Sequence, residues 1–189
     1  TSPIIREKQP ILAQTFGKVG NIRVRHAATV GGNLSEADYA SDPPCVLVAL
    51  RARAKARSAR AERETPLMDF FKGFYETALA PDEILTELIV PDALPETRAA
   101  YVKYVSRSSE DRPCVGMAAV VENQADGSCK SLRLVAGAVA ETPQEITSAE
   151  ALAGGKRLTD TVIGEIADAY SSAIEMLRQA YAALAERLV

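Results

Sequence analysis

Between positions 28 and 43 the chain reads Ala28-Thr29-Val30-Gly31-Gly32-Asn33-Leu34-Ser35-Glu36-Ala37-Asp38-Tyr39-Ala40-Ser41-Asp42-Pro43, which gathers the residue types of an anion cradle. Two adjacent glycines allow a turn at positive φ with exposed amides, Asn tolerates the left-handed region, and Thr29 adds a hydroxyl. Successive backbone N–H groups in such a turn form a concave nest for phosphate oxygens, and a carboxylate such as Asp42 can accept hydrogen bonds from a ribose or adenine. A plain glycine turn between two elements is the competing reading. The stretch is not a P-loop, because no Lys-Ser or Lys-Thr follows the glycines, and it lacks the G-x-G-x-x-G spacing. The single histidine, His26, lies beside it. With no nucleophile or carboxylate spaced to orient it, His26 reads as a packing or hydrogen-bonding residue rather than a catalytic base.

The elements that must position this loop belong to an ordinary globular chain. Its 189 residues are 47% hydrophobic and 25% charged, enough for one good core or two small ones. A net charge of -3 and a pI near 5.4 give no reason to expect nucleic acid or an anionic membrane as partner. Three cysteines, Cys45, Cys114 and Cys129, are odd in number and lack C-x-x-C spacing, so no disulfide framework, zinc site or iron–sulfur site is signalled. Reduced thiols and the absence of a long apolar run or hydrophobic leader point to a cytoplasmic protein without membrane insertion.

In chain order, residues 1–9 read as irregular and are followed by a helix from Pro10 that ends at Gly20. Ile22 and Val24 suggest a short extended link into the glycine loop, and Val46 to Leu50 one or two helical turns. Arg51-Ala52-Arg53-Ala54-Lys55-Ala56-Arg57 alternates with period two, which favours a strand with alanines on one face, pairing with residues 59–64. Glu62 and Glu64 follow closely and no aromatic interleaves the cations, so this is a solvated strand face rather than a nucleic-acid patch. Thr65-Pro66 is a helix start, and Met68, Phe70, Phe71, Phe74 and Tyr75 read as its core face. Residues 84–90 read as a strand ending at Pro91, and residues 91–98 as a linker. Beyond it, Tyr101–Val105, Val115–Val121 and Leu132–Val139 predict a three-stranded antiparallel sheet. A short helix stopping at Gly154-Gly155 follows. Apolar residues at 163, 166, 170, 173, 177, 181, 184 and 188 then predict an amphipathic helix over the sheet, with partner-helix packing as the alternative. The fold class expected is α+β in two lobes.

The segment Arg23-Val24-Arg25-His26-Ala27-Ala28-Thr29-Val30-Gly31-Gly32-Asn33 with Ser41-Asp42-Pro43-Pro44 resembles the second flavin-binding loop of the FAD subunit of molybdenum hydroxylases, the xanthine dehydrogenase and carbon monoxide dehydrogenase relatives. The resemblance continues through Glu83-Ile84-Leu85 with Val90-Pro91, and Lys103 with Arg107-Ser108-Ser109-Glu110-Asp111. It runs on through Gly137-Ala138-Val139-Ala140-Glu141-Thr142-Pro143 to Gly154, so that it covers nearly all of the chain. Near the C-terminus the family carries an Asp-x-Arg-Gly-Ser-Ala-x-Tyr segment between two helices. Asp168, Ser172 and Ala173 match it, whereas Tyr170, Ser171 and Glu175 depart from it.

The resemblance implies a flavoprotein subunit that receives electrons from iron–sulfur centres of a small subunit and passes them through FAD to an external acceptor. Substrate chemistry would occur at the molybdopterin large subunit. It implies that Thr29, Val30, Gly31, Gly32 and Asn33 receive the pyrophosphate, that Ala28 beside them also binds the cofactor, and that Asp42 binds the ribose or adenosine side. Leu85 would offer backbone contacts near the adenine, and Lys103 would approach the cofactor from the second sheet. Residues 1–95 then correspond to the second lobe of the FAD-binding domain, with the first lobe and its Ala-Gly-Gly-Thr-like cradle absent, and residues 98–189 to the flavoprotein C-terminal domain. On that expectation the isolated chain binds FAD weakly or not at all. The alternative is a module without flavin that serves as an interaction or assembly domain.

Overall fold

Helices come first in this chain, and one of them is buried all the way round. The computed structural model describes residues 2–188, and the side chains of residues 2–176. Helices α1 (Pro3–Lys8) and α2 (Pro10–Gly17) each begin with proline, whose missing N–H would have no partner in a first turn anyway. α1 replaces the irregular segment expected there. The extended link expected at Ile22–Val24 is instead α3 (Ile22–Ala27), because the Asn21 side chain caps it by accepting from the Arg23 and Val24 amides. α4 (Val30–Glu36) takes the place of the glycine turn and ends at Ala37, which has φ +50. α5 (Asp42–Ala49) starts Asp-Pro-Pro and is buried at every residue. Such all-round burial is what an apolar run without periodicity demands of a helix.

β1 (Arg53–Arg57) lies between β2 (Glu62–Pro66) and β5 (Ile84–Ile89) in an antiparallel sheet of order β2-β1-β5. Ala54 and Ala56 face inward, and the cations face carboxylates: Arg53 meets Glu64 at 3.0 Å, and Lys55 meets Glu62 at 3.4 Å and Glu87 at 3.1 Å. The helix expected from Thr65-Pro66 is only α6 (Leu67–Phe70). Phe71 leaves helical geometry to open β3 (Phe71–Gly73), which pairs with β4 (Glu76–Thr77). Phe70 and Phe71 enter the core, whereas Phe74 and Tyr75 stay on the surface, 58% and 52% exposed.

The second sheet has the order β6-β7-β8-β9, with β6 (Thr97–Tyr104), β7 (Val115–Asn123), β8 (Cys129–Gly137) and β9 (Gln144–Glu145), all antiparallel. The three expected strands are there, and the short β9 adds a fourth, paired as Val135↔Glu145. α5 packs on one face of this sheet, so one core runs from Ile11 and Leu12 through Val46, Leu47 and Phe70 to Tyr101, Ala118 and Val135. α7 (Thr147–Glu150), a 3-10 turn at Ala151–Ala153 and α8 (Asp160–Leu188) lie on the other face, where Ile166 and Tyr170 are buried. α8 is unbroken. The hydroxyl of Tyr170 lies 2.7 Å from the Gln144 carbonyl and 2.9 Å from that of Leu134, which fastens the helix to the sheet. The expected apolar positions 177, 181, 184 and 188 lie outside the residues whose side chains are described.

Candidate functional site

The start of α4 is built by Thr29. Its Oγ1 accepts from the Gly32 amide at 3.0 Å, and its carbonyl accepts from the Asn33 amide at 3.0 Å. Gly31 and Gly32 are helical and neither has positive φ, so the loop presents the open end of a helix rather than a left-handed nest. The amides of Val30 and Gly31 precede any residue able to accept them within the helix and are therefore free for an outside acceptor. A Cβ on Gly31 would meet nothing within 4 Å, whereas one on Gly32 would stand 2.9 Å from Thr29 Oγ1. Open space lies over Gly31. The glycine at 32 is needed by the cap itself.

Ala28, Thr29, Val30 and Asn33 line a cavity of about 460 Å³ whose other walls are mostly apolar, among them Leu12, Phe16, Leu88 and Val90, with Ser2 and Arg25 as the polar exceptions. Asn33 donates from Nδ2 to Ser41 Oγ at 2.7 Å, while its buried Oδ1 has no partner among the described residues. A buried acceptor left unpaired is costly, and a ligand hydroxyl or amine would relieve it. Leu85 lies elsewhere on β5, half-buried beside Ala56 at the rim of the core.

Asp42 and Lys103 are brought together, and each is only 5% exposed in its side chain. Lys103 Nζ lies 3.0 Å from Asp42 Oδ2 and donates to the Lys18 carbonyl at 2.9 Å, while the Tyr101 hydroxyl donates to Asp42 Oδ1 at 2.6 Å. Lys18 in turn donates to the Tyr101 carbonyl and stands over its ring. Both carboxylate oxygens are thus engaged from within the chain. Burial, then the Asp42 carboxylate, raises the Tyr101 hydroxyl well above the ordinary tyrosine range, so it stays a donor. The sequence reading missed Tyr101, although it lies two residues before Lys103 on one strand and therefore on the same face.

His26 is exposed at the end of α3. Cys45 is buried against the Val135 carbonyl at 2.9 Å, and burial pushes its thiol up to about 12, so it is unreactive. A second group that sequence reasoning did not assemble lies near α4. Tyr39 meets Phe74 edge-on at 5.0 Å and Arg112 stands over its ring at 5.3 Å, with Asp38 beside the guanidinium. Among the described residues no group of three or more His, Cys, Asp or Glu is placed to hold a metal, and no helix is long and apolar enough to cross a membrane.

A helix start with free amides over an open glycine, a lone acceptor and an apolar cavity suits the phosphate and flat rings of a dinucleotide cofactor. The class that this arrangement fits is an α+β module for a dinucleotide-type cofactor. Residues 1–93 match the family described as the FAD binding domain in molybdopterin dehydrogenase, and residues 100–186 match the CO dehydrogenase flavoprotein C-terminal domain. The chain belongs to the flavoprotein family of the molybdenum hydroxylases.

Its relatives include the glyceraldehyde dehydrogenase medium chain of Sulfolobus acidocaldarius, 32% identical over 92% of this chain and 61% of that protein. The xanthine dehydrogenase of Emericella nidulans is 36% identical over 73% of this chain and 10% of that protein. Among solved structures, carbon monoxide dehydrogenase from Hydrogenophaga pseudoflava superposes with TM-score 0.84 at 30% identity, covering 89% of this chain and 58% of that one. The chain spans roughly half to three-fifths of the length of its medium-chain relatives.

Proposed function

We propose that this chain holds FAD in the flavoprotein subunit of a molybdenum hydroxylase, an oxidoreductase with an iron–sulfur small subunit and a molybdopterin large subunit as partners. In this reading residues 1–95 form a lobe of the FAD-binding domain and residues 98–189 the flavoprotein C-terminal domain. The observation that carries it is the Thr29-capped start of α4, with its outward amides and the open space over Gly31.

Val30 and Gly31 hold the pyrophosphate oxygens through their N–H groups, aided by the positive end of the helix. Gly31 admits them because it has no Cβ, and its neighbours Ala28, Thr29, Val30 and Asn33 border the cavity of about 460 Å³. Leu85 offers its backbone on the adenine side. Asp42 and Lys103 act from beneath as a mutually neutralised pair that fixes α5 against β6, keeping the cradle in register with the sheet. Bound FAD supplies the electron-carrying chemistry, and the chain supplies orientation and local charge.

The test is a fluorescence titration of FAD into the protein, with ADP and riboflavin as competitors. ADP carries the pyrophosphate and should displace FAD, riboflavin should not, and Gly31→Ala should weaken FAD by about tenfold by blocking phosphate approach, as losing one or two charge-assisted hydrogen bonds would. Displacement by riboflavin alone, or undiminished binding in Gly31→Ala, would remove the phosphate reading of this loop.

A further inference from the structure

We propose that a second cleft, under the segment 91–97 and lined by no residue of α4, binds a small organic monocarboxylic acid: the Arg133 guanidinium takes its carboxylate, and Ile11, Leu50 and Val120 take its apolar body. The cleft is about 890 Å³, of the size that holds small ligands.

Strand register explains why Arg133 stands out. Residues directly opposite in an antiparallel pair point to the same face, and Ala99, Val120 and Arg133 are successive partners across β6, β7 and β8. Val120 is 2% exposed, and Val135, the next residue of β8 on that face, is fully buried. Arg133 therefore occupies a place in the row that packs on α5, where strand alternation calls for an apolar side chain.

It makes no hydrogen bond or ion pair among the described residues, although an arginine has five donors. The neighbouring side chains are already engaged, Glu150 by a backbone amide only. Arg51 is forked onto Glu145 through contacts of 2.6 and 2.5 Å, Glu150 Oε1 accepts from the Leu134 amide at 2.6 Å, and Glu122 takes Lys130 at 2.5 Å. Burial, with Arg51 adding repulsion, holds the Arg133 guanidinium below the ordinary arginine range, even though the carboxylates of Glu145, Glu150 and Glu122 act the other way; none of them makes a hydrogen bond or ion pair with it.

Among the described residues, Arg98, which bonds only the Pro95 and Thr97 carbonyls, and Arg133 stand against Glu150 as the lining charges without an ion-pair partner, which leaves one positive charge in excess and calls for a single negative charge. Glu122 and Glu150 also line the cleft and would repel a dianion such as phosphate, whereas the buried Ile11, Leu50 and Val120 favour an acid with an apolar body.

The experiment titrates benzoate into the protein by calorimetry, with inorganic phosphate as a control, on the wild type, Arg133→Met and Thr29→Ala. Benzoate should saturate one site and phosphate should not compete. Arg133→Met should lower affinity at least about tenfold, the usual loss for a charge-assisted hydrogen bond. Thr29→Ala, which weakens the α4 cradle, should leave benzoate binding unchanged, so failure here is separable from failure of the FAD reading. Arg133→Met should also raise the melting temperature, because an unpaired, half-buried charge is replaced by an apolar chain of similar length. Absence of benzoate saturation, equal affinity in Arg133→Met, or a melting temperature that falls in that variant would each overturn the proposal.

Discussion

Single residues decide most of the local outcomes here, and several act through what they displace. Gly31 and Gly32 are adjacent and chemically identical, yet only Gly32 is constrained inside the chain, by Thr29 Oγ1. The glycine pair was legible in the sequence as an exposed-amide device; that it would be helical was not. Whether glycines turn or continue a helix depends on the cap before them, and Thr29 accepts the Gly32 amide. Glu83 is another residue that acts by position. Its carboxylate takes a forked pair from Arg63 at 2.7 Å and the Ala80 amide at 2.8 Å, which together hold its pKa down to about 2 from an ordinary 4.5. A depressed carboxyl stabilises the fold above the unfolded value and loses that contribution as pH falls through the folded one. Urea midpoints of the wild type and Glu83→Gln should therefore differ at pH 6 and converge as pH falls from about 4.5 to about 2. A gap that persists at the acid end would contradict this.

Elements were readable from the sequence where periodicity was strong and misread where a tertiary partner chose the conformation. The alternating Arg51–Arg57 run became β1, and the strand patterns after residue 98 became β6, β7 and β8, because period-two burial is fixed by residue type. The aromatic run after Pro66 was expected to be a helix face, but only four residues are helical, since pairing of β3 with β4 turns Phe74 and Tyr75 outward. The join between α5 and β6 was the least legible, because its chemistry lies between residues 59 and 61 positions apart. Close packing there requires Gly116, where a Cβ would stand 2.6 Å from the Tyr101 hydroxyl. Tyr101→Phe should cost about 1–3 kcal/mol by leaving Asp42 Oδ1 buried without its donor. Lys103→Met should cost about 3–5 kcal/mol because it leaves a buried carboxylate without its counter-charge. Urea denaturation measures both, and a Lys103→Met variant no less stable than Tyr101→Phe would show that the ion pair is not what closes the join.

At the scale of the whole molecule, the change of pattern near Pro91–Pro95 coincides with a change of sheet but not with a gap in the core. The two main sheets share no hydrogen bond, yet α5 carries its apolar residues onto β7 and β8, and Tyr101 returns to bond its first residue. Burying Val46, Leu47 and Val48 stabilises that contact by roughly 1.5–3 kcal/mol per side chain, far more than an exposed connecting segment contributes. Continuity of the chain between residues 92 and 96 should therefore be dispensable once the protein is folded. A protease site placed at the exposed residues 93–95 and cut in the native state should yield two fragments that elute together on gel filtration and separate only in denaturant. Val46→Ala, which leaves a cavity in the shared core and costs on the order of 2 kcal/mol or more, should make the nicked pair dissociate at lower urea than the nicked wild type. Fragments of the cut wild type that separate without denaturant would mean that each half folds around its own core and that α5 joins them only weakly.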